Sequence, residues 1–197
     1  MLQQQIPSES SSSGRSIVVL ETERLVLRTP TLADVKAIAN IANDPRIAEN
    51  LRRLPHPYRV KDAETFIGSL ARSRERVFLI EHDDDLIGVA SLDFTNGSAP
   101  ELGYWLGVDH WGKGFATEAA RAAIDHAFEE FDADRVQAGA RVTNPASRHV
   151  LEKCGFQWTG VELHRFVALG SSTPVDCFRL DRGVWSSLKA WRNPKRR

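Results

Sequence analysis

Residues 105–120 of the chain read WLGVDHWGKGFATEAA. This stretch predicts the end of a strand, a glycine-rich turn and then a long amphipathic helix. Gly112 and Gly114 permit turns that are closed to other residues and let the backbone approach a ligand closely. The helix behind them begins with free N–H groups at the positive end of its dipole, which suits a phosphate or pyrophosphate. Many helices begin with such a turn, so the interpretation also depends on a second element at residues 144–156.

Two common anion-binding motifs do not match this stretch. The P-loop needs four residues between its glycines and a Gly-Lys-Ser/Thr end, and the chain around Lys113 has neither. The dinucleotide-binding pattern has Thr117 where its third glycine belongs, and no complete strand-helix-strand unit precedes it. The sequence therefore predicts a ligand held mainly by backbone amides, with Lys113 as the nearest cation.

Length and composition predict one cytoplasmic domain. The 197 residues are 42% apolar, and Lys plus Arg equals Asp plus Glu at 26 each, so no net field favours nucleic acid. The two cysteines, with no export signal ahead of them, favour a reducing compartment. No apolar run approaches the roughly 20 residues of a membrane span.

The two ends differ in composition from the rest of the chain. Residues 1–16 are rich in Gln and Ser and predict a flexible leader. Residues 192–197 form a basic tail, for which a solvated end and an RNA or ribosome contact both stay open. The domain itself is expected over residues 17–191.

Hydrophobic periodicity predicts one mixed α/β domain in which early strands meander and later strands alternate with helices. Asn144 and Pro145 open the second-last helix, and Gly155 closes it in a left-handed conformation. Strands are expected at 25–27, 76–81, 86–94, 101–107, 135–142, 156–167 and 175–180, with a loop at 170–174, and helices at 32–42, 63–70, 114–131, 144–154 and 185–191.

Four phrases in this order resemble the GNAT acetyltransferases, and within them the ribosomal-protein (RimJ/RimL-type) branch. They are ERLVLR at 23–28, ELGYWL at 101–106, WGKGFATEA at 111–119, and NPAS at 144–147 followed by LEKCGF at 151–156. The resemblance covers residues 21–185. It implies an α/β fold with a mixed, mostly antiparallel twisted sheet flanked by helices, and an acetyl-CoA-dependent N-acetyltransferase.

The resemblance also implies where coenzyme A lies. Its pyrophosphate rests on the turn at 112–116, where Gly114 and Ala116 fill the small positions and Trp111 replaces the usual Gln or Arg. The pantetheine arm runs along the strand that ends at Leu106, as an added strand would. The Leu106 N–H then donates to the acetyl carbonyl. The expected cofactor-binding residues are Trp105, Leu106, Gly107, Trp111, Gly112, Lys113, Gly114, Phe115, Ala116, Thr117, Asn144 and Ser147.

Ser147 is the expected acid that protonates the departing thiolate, directly or through water. Many relatives place a tyrosine seven residues after the asparagine, but that position here is Leu151. The resemblance implies this acid role for Ser147, because in RimJ/RimL-like enzymes a serine at the equivalent position protonates the thiolate. Asn144 is expected both to cap its helix and to contact the cofactor arm.

The general base is less certain from sequence. Glu101 lies on the strand that ends at Leu106, where several GNAT enzymes carry a catalytic glutamate. Side chains alternate along a strand, so Glu101 and Leu106 face opposite sides unless a bulge intervenes. Glu162, His164 and Asp176 on the last strand pair are alternatives that bind the acceptor ammonium or relay its proton.

Neither cysteine is expected to carry the acetyl group. Cys154 ends a helix, where the negative end of the dipole disfavours a thiolate, and Cys177 follows Asp176 in a predicted strand. Direct attack in a ternary complex is therefore expected. The six histidines show no metal-ligand spacing, so no metal is expected.

The sequence thus predicts acetyl transfer from acetyl-CoA to a primary amine, expected to be a protein or peptide N-terminus. A small-molecule or antibiotic acetyltransferase and a non-catalytic coenzyme A-binding module remain alternatives. Monomer and homodimer are both open.

Overall fold

A single eight-stranded sheet organises the protein. The computed structural model describes residues 19–192 except 96 and 98. The strands are β1 (Val19–Glu21), β2 (Val26–Arg28), β3 (Glu75–His82), β4 (Asp85–Asp93), β5 (Glu101–Leu106), β6 (Arg135–Arg141), β7 (Gln157–Phe166) and β8 (Ser171–Asp181). The helices are α1 (Val35–Ala42), α2 (Pro45–Ala48), α3 (Val60–Leu70), α4 (Phe115–Glu130), α5 (Pro145–Lys153) and α6 (Arg182–Arg192), with short 3-10 turns at Leu32–Asp34 and Val108–His110.

The strand order is β1-β2-β3-β4-β5-β6-β8-β7. Among the described strands, β5 and β6 form the one parallel pair, and all the other neighbours are antiparallel. The β5–β6 pairing is short, with only Glu101 opposite Gln137 and Leu102 opposite Ala138. The expected α/β fold with a mixed, mostly antiparallel sheet flanked by helices is confirmed.

Each face of the sheet carries a separate apolar core. On one face α4 and α5 cover residues of β4, β5, β6 and β8, among them Leu102, Leu106 and Val136. On the other face α1 and α3 cover Leu79 and Val89 of β3 and β4. Because side chains alternate along a strand, neighbouring residues of β5 belong to different cores.

Helix α4 fits closely onto the sheet because its inner face is built from small residues. Ala119, Ala120, Ala123 and Ala127 are fully buried. The helix begins directly after Gly114, which adopts a left-handed φ of +85°. The expected helix at 114–131 is therefore confirmed to within one residue at each end.

Three expectations about the elements need correction or extension. The expected loop at 170–174 is wrong, because β8 begins at Ser171 and Pro174 pairs with Leu163 inside the hairpin. Proline is tolerated within a strand only where no ladder donor is needed, which is why the sequence suggested a loop. The helix α2 and the strand β1 were not predicted, since both are too short to show a period.

Parts of the expected domain boundaries lie outside the described residues. The leader at 1–16 and residues 193–197 of the basic tail belong to this group. None of the described helices has the length and apolar character needed to cross a membrane.

Glu118 ties the N-terminal strands to the turn that precedes α4. Its carboxylate accepts hydrogen bonds from Thr22 Oγ1 at 2.7 Å and from Arg24 N and Nε at 2.8 Å each. Arg24 also donates to the Lys113 carbonyl at 3.1 Å and lies over the Phe115 ring. The β1–β2 turn therefore supports the glycine-rich turn from behind.

We expect Glu118→Gln to lower the free energy of unfolding by about 1–2 kcal/mol, the range for losing charge-assisted hydrogen bonds at a partly exposed site. Burial opposes ionisation of Glu118, but the bonds from Thr22 and Arg24 outweigh it and lower its pKa. The stabilisation is thus present above the unfolded carboxyl pKa of about 4.3 and is lost as pH falls through the lower folded value. Urea unfolding of both proteins at pH 7 and pH 3.5 measures this. An equal difference at the two pH values would contradict the role of the charge.

Candidate active site

A cleft opens in the sheet where β5 and β6 diverge. Beyond Leu102 the strand β5 stays paired with β4 as far as Leu106, while β6 stays paired with β8 as far as Arg141. The Gly107 N–H donates to the Ile87 carbonyl of the β4 side at 2.8 Å. Ladder bonds alternate along an antiparallel strand, so the Leu106 N–H and C=O point the other way, into the cleft.

The cleft has a volume of about 440 Å³ and runs from the glycine-rich turn to the segment around Arg52. Most of the residues expected to bind the cofactor line it, whereas Gly107 and Lys113 do not. Those that line it are Trp105, Leu106, Trp111, Gly112, Gly114, Phe115, Ala116, Thr117, Asn144 and Ser147.

The glycine-rich turn has the geometry expected of an anion site. Gly112 and Gly114 have φ values of +74° and +85°, which a residue with a Cβ adopts only under strain. The first N–H groups of α4, from Phe115 to Thr117, have no partner in the preceding turn of a helix. A pyrophosphate fits here, because these donors and the positive end of the α4 dipole face the same cleft.

Trp111 occupies the position where the family usually has Gln or Arg. Its indole Nε1 donates to the Leu106 carbonyl at 2.9 Å. This bond satisfies the last acceptor of β5 and leaves the neighbouring Leu106 N–H as the donor at the end of the strand. The substitution therefore gives the side chain a role in holding the strand end.

Ser147 lies across the cleft on the first turn of α5, held at two points. Its N–H donates to Asn144 Oδ1 at 3.0 Å, which confirms the predicted helix cap. Its Oγ lies 2.9 Å from the Tyr104 hydroxyl, which also lies 3.1 Å from the Ser147 carbonyl. Leu151 is fully buried beneath this turn.

Tyr104 is a site residue that the sequence reasoning missed. Position 151 has no phenol, but the Tyr104 phenol reaches Ser147 from β5, two residues before Leu106 and on the same face of the strand. The phrase ELGYWL contains this tyrosine. Its proximity to Ser147 depends on how α5 packs over the divergent strands, which no local pattern reports.

Glu101 lies on the opposite face of β5 from Leu106. The β4–β5 register is unbroken from Glu101 to Leu106, so no bulge brings the two side chains to one face. The Glu101 carboxylate forms an ion pair with Arg52. Arg52 was not singled out by its sequence, because it lies in an irregular segment far from β5 along the chain.

Arg52 links Glu101 to two of the alternative acceptor-side residues. Its Nη1 lies 3.2 Å from His164 Nδ1, and His164 Nε2 lies 3.2 Å from Glu162 Oε2. Since arginine only donates, His164 Nδ1 accepts and its Nε2 carries the proton toward Glu162. The structure therefore brings Glu101, Glu162 and His164 into one network.

Asp176 is not part of this network. It is buried on the other face of β8, where it accepts from Trp158 Nε1 at 2.8 Å and from Arg148 Nη1 at 3.2 Å. The two bonds compensate the cost of burying a carboxylate. Its place in the fold is structural.

Guanidinium groups from three residues line the cleft. They belong to Arg46, Arg52 and Arg141, and Glu101 is the one carboxylate among the described lining residues. Arg46 is paired with Asp44, and Arg52 with Glu101. Arg141 donates to the Glu49 carbonyl at 2.8 Å, while its buried Nε has no hydrogen-bond partner among the described residues.

The thiols of the two cysteines are disfavoured as nucleophiles, and one cluster of possible metal ligands lies beside Arg52. Burial raises the pKa of Cys154 to about 11, and it also raises that of Cys177. Glu162, His164 and Cys177 place potential ligand atoms within 4.8 Å of one another, the one such group in the described part of the chain. The Arg52 guanidinium contacts the same histidine and opposes a bound cation.

Comparison with known proteins agrees with this architecture. The family model described as acetyltransferase (GNAT) domain matches residues 24–157. The chain is 31% identical over 150 residues to the uncharacterized N-acetyltransferase p20 of Bacillus licheniformis, spanning 72% of this chain and 84% of that protein. It is 34% identical over 87 residues to the ribosomal-protein-serine acetyltransferase of Escherichia coli, spanning 43% of this chain and 49% of the relative.

Among solved structures, spermidine N-acetyltransferase from Vibrio cholerae, in complex with CoA and spermine, superimposes with a TM-score of 0.73 at 25% identity. The match covers 84% of this chain and 99% of that one. Together with the cleft and the glycine-rich turn, and with a family model that matches more than half of the chain, these findings support one conclusion. The chain belongs to the GNAT acetyltransferases, enzymes that transfer an acetyl group from acetyl-CoA to an amine.

Proposed function

We propose that this enzyme is of the RimJ/RimL type and acetylates the α-amine of a protein or peptide N-terminus by direct attack on acetyl-CoA. One observation carries the mechanism: the Leu106 N–H points into the cleft between the divergent strands, where Ser147 also lies. The Leu106 N–H, the proposed donor to the developing oxyanion, and the Ser147 hydroxyl, the proposed donor to the leaving sulfur, thus line the same cleft.

Each group has a distinct task in this proposal. The turn at Gly112–Gly114 and the first N–H groups of α4 bind the pyrophosphate. The Leu106 N–H stabilises the negative charge that develops on the acetyl oxygen during attack. Ser147 gives a proton to the sulfur as the carbon–sulfur bond breaks. Asn144 fixes Ser147 through the cap and contacts the cofactor arm.

An α-amine needs little help to become a nucleophile at neutral pH. Its reference pKa is about 7.7–8.0, against about 10.4 for lysine. Glu101 is the proposed base for the remaining proton, and the part of the cleft around Glu101 and its partner Arg52 is the proposed acceptor end. Glu162 and His164 lie behind it as the route by which the proton leaves.

The charges of the acceptor end favour an α-amine over a polyamine. A polyamine carries several ammonium groups that need carboxylate partners, and the one carboxylate among the described lining residues, Glu101, is already paired with Arg52. A peptide brings a single amine, and the rest of its backbone is a chain of neutral amides that needs no carboxylate partners. A small-molecule amine is the alternative acceptor, as spermidine is for the structural relative.

We expect intact-mass analysis to detect one added acetyl group on a peptide with a free α-amine, because such an amine is partly neutral at pH 7.5. The same peptide with a blocked α-amine and one lysine, and a spermidine mixture, should gain none in the same time. Acetylation of spermidine but not of the peptide would contradict the proposed acceptor and leave the enzyme class intact.

We expect Gly114→Val to raise the KM for acetyl-CoA by at least about tenfold, because a branched residue at φ +85° displaces the turn that holds the pyrophosphate. Gly170→Val is the matched control: Gly170 also has a positive φ, +63°, but lies in the β7–β8 hairpin. Unchanged acetyl-CoA kinetics in a folded Gly114 variant would contradict the placement of the cofactor.

We expect Ser147→Ala to lower kcat by about 10–100-fold with the KM for acetyl-CoA within about twofold, since the hydroxyl acts as the sulfur departs. Steady-state kinetics with the accepted amine measure both constants. The cap bond to Asn144 uses the backbone N–H of residue 147 and survives the change. A rise in KM alone would make Ser147 a cofactor contact without a catalytic role.

A further inference from the structure

Tyr104 joins the two sides of the cleft at the point where the leaving sulfur is expected. It projects from β5, while Ser147 stands on the first turn of α5, forty-three residues later in the chain. The two hydroxyl oxygens are 2.9 Å apart, a normal distance for an O–H···O bond. Both residues line the cleft.

The hydrogens of this pair can be arranged in two ways. The phenol has one proton, and it can go to Ser147 Oγ or to the Ser147 carbonyl, which lies 3.1 Å away. In the first arrangement the phenol donates to Ser147 Oγ, and the serine hydrogen is free to point into the cleft. In the second arrangement the phenol donates to the Ser147 carbonyl, and the serine hydrogen goes to the phenol oxygen.

Two features favour the first arrangement when the sulfur is present. The Ser147 carbonyl already accepts the i+4 N–H of α5, so it does not need the phenol. Burial raises the pKa of Tyr104 well above its usual range, although the bond to Ser147 acts in the opposite direction. The phenol therefore stays protonated and serves as a donor, not as the acid.

We propose that Tyr104 is a positioning residue that donates its hydroxyl hydrogen to Ser147 Oγ and so directs the Ser147 proton toward the departing sulfur. The inference rests on the proposed role of Ser147. In the step itself the nitrogen–carbon bond forms and the carbon–sulfur bond breaks, while the nitrogen loses one proton to Glu101 and the sulfur gains one from Ser147. Solvent water then takes the proton from Glu101 and returns one to Ser147, and Tyr104 keeps its own proton throughout.

A double-mutant cycle tests the pairing. Tyr104→Phe, Ser147→Ala and the double variant are compared with the wild type by single-turnover acetyl transfer from saturating acetyl-CoA. The acceptor is whichever of the peptide, lysine peptide and spermidine the wild type acetylates, since the leaving group is the same in each case. Isothermal titration gives the Kd for acetyl-CoA.

We expect Tyr104→Phe to slow transfer by about 3–10-fold, the cost of one lost hydrogen bond, with the Kd for acetyl-CoA within about twofold. The double variant should be no slower than Ser147→Ala alone, because the phenol acts through the serine. Tyr58→Phe is the matched control. Tyr58 is the other tyrosine of the chain, and it is buried in the α1–α3 core away from the cleft.

The outcomes separate this inference from the proposed function. If Tyr104→Phe transfers acetyl at the wild-type rate while Ser147→Ala is slow, the positioning role is wrong and the function of Ser147 stands. If the losses of the two single variants multiply in the double variant, or if Tyr104→Phe only weakens acetyl-CoA binding, the phenol does not act through Ser147. If Ser147→Ala transfers at the wild-type rate, the proposed acid is wrong, and the inference about Tyr104 is overturned with it.

Discussion

The parallel pairing of β5 with β6 lasts for only two residues, and the chemistry of this protein depends on that brevity. A sheet gains its stability from continuous ladders, so an interrupted ladder needs support elsewhere. Here β4 and β8 keep their own pairings on either side of the gap. Helix α4 supplies the rest, because its small buried residues pack in one core with Leu102 of β5 and Val136 of β6. The gap is thus a stable feature with backbone donors at its edge.

Substrate binding through backbone groups leaves the side chains of the cleft free to differ. The Leu106 N–H and the first N–H groups of α4 are backbone groups. They are present whatever side chains the residues at these positions carry. Trp111 shows that a side chain beside the cleft can take a structural task, since its indole holds the Leu106 carbonyl. Because the cleft side chains can vary in this way, this chain can resemble both a spermidine acetyltransferase and a ribosomal-protein acetyltransferase, whose acceptors differ. In the proposed mechanism the acceptor is selected by side chains at the far end of the cleft, around Arg52 and Glu101.

Arg52 gives that end of the cleft its organisation. It holds the Glu101 carboxylate from one side and the His164 ring from the other, and thereby joins a segment beside α2 to β5 and β7. A carboxylate paired in this way is oriented, but it is also less available to a cationic acceptor. The pairing is consistent with an acceptor that arrives with a single, partly neutral amine.

The sequence by itself determined the order of the longer helices and strands, the glycine-rich turn, the Asn144 cap and the family. These features depend on residues close together along the chain, so hydrophobic periodicity, capping residues and glycines suited to positive φ predict them directly. It also predicted that Glu101 and Leu106 face opposite sides, since alternation along a strand is local. Only the tertiary structure decided which partners these residues meet. Tyr104 reaches Ser147, and Arg52 reaches Glu101 and His164, because the sheet diverges and α5 packs over the opening. No local sequence pattern predicts contacts between residues so far apart in the chain, because only the packing of the folded chain creates them.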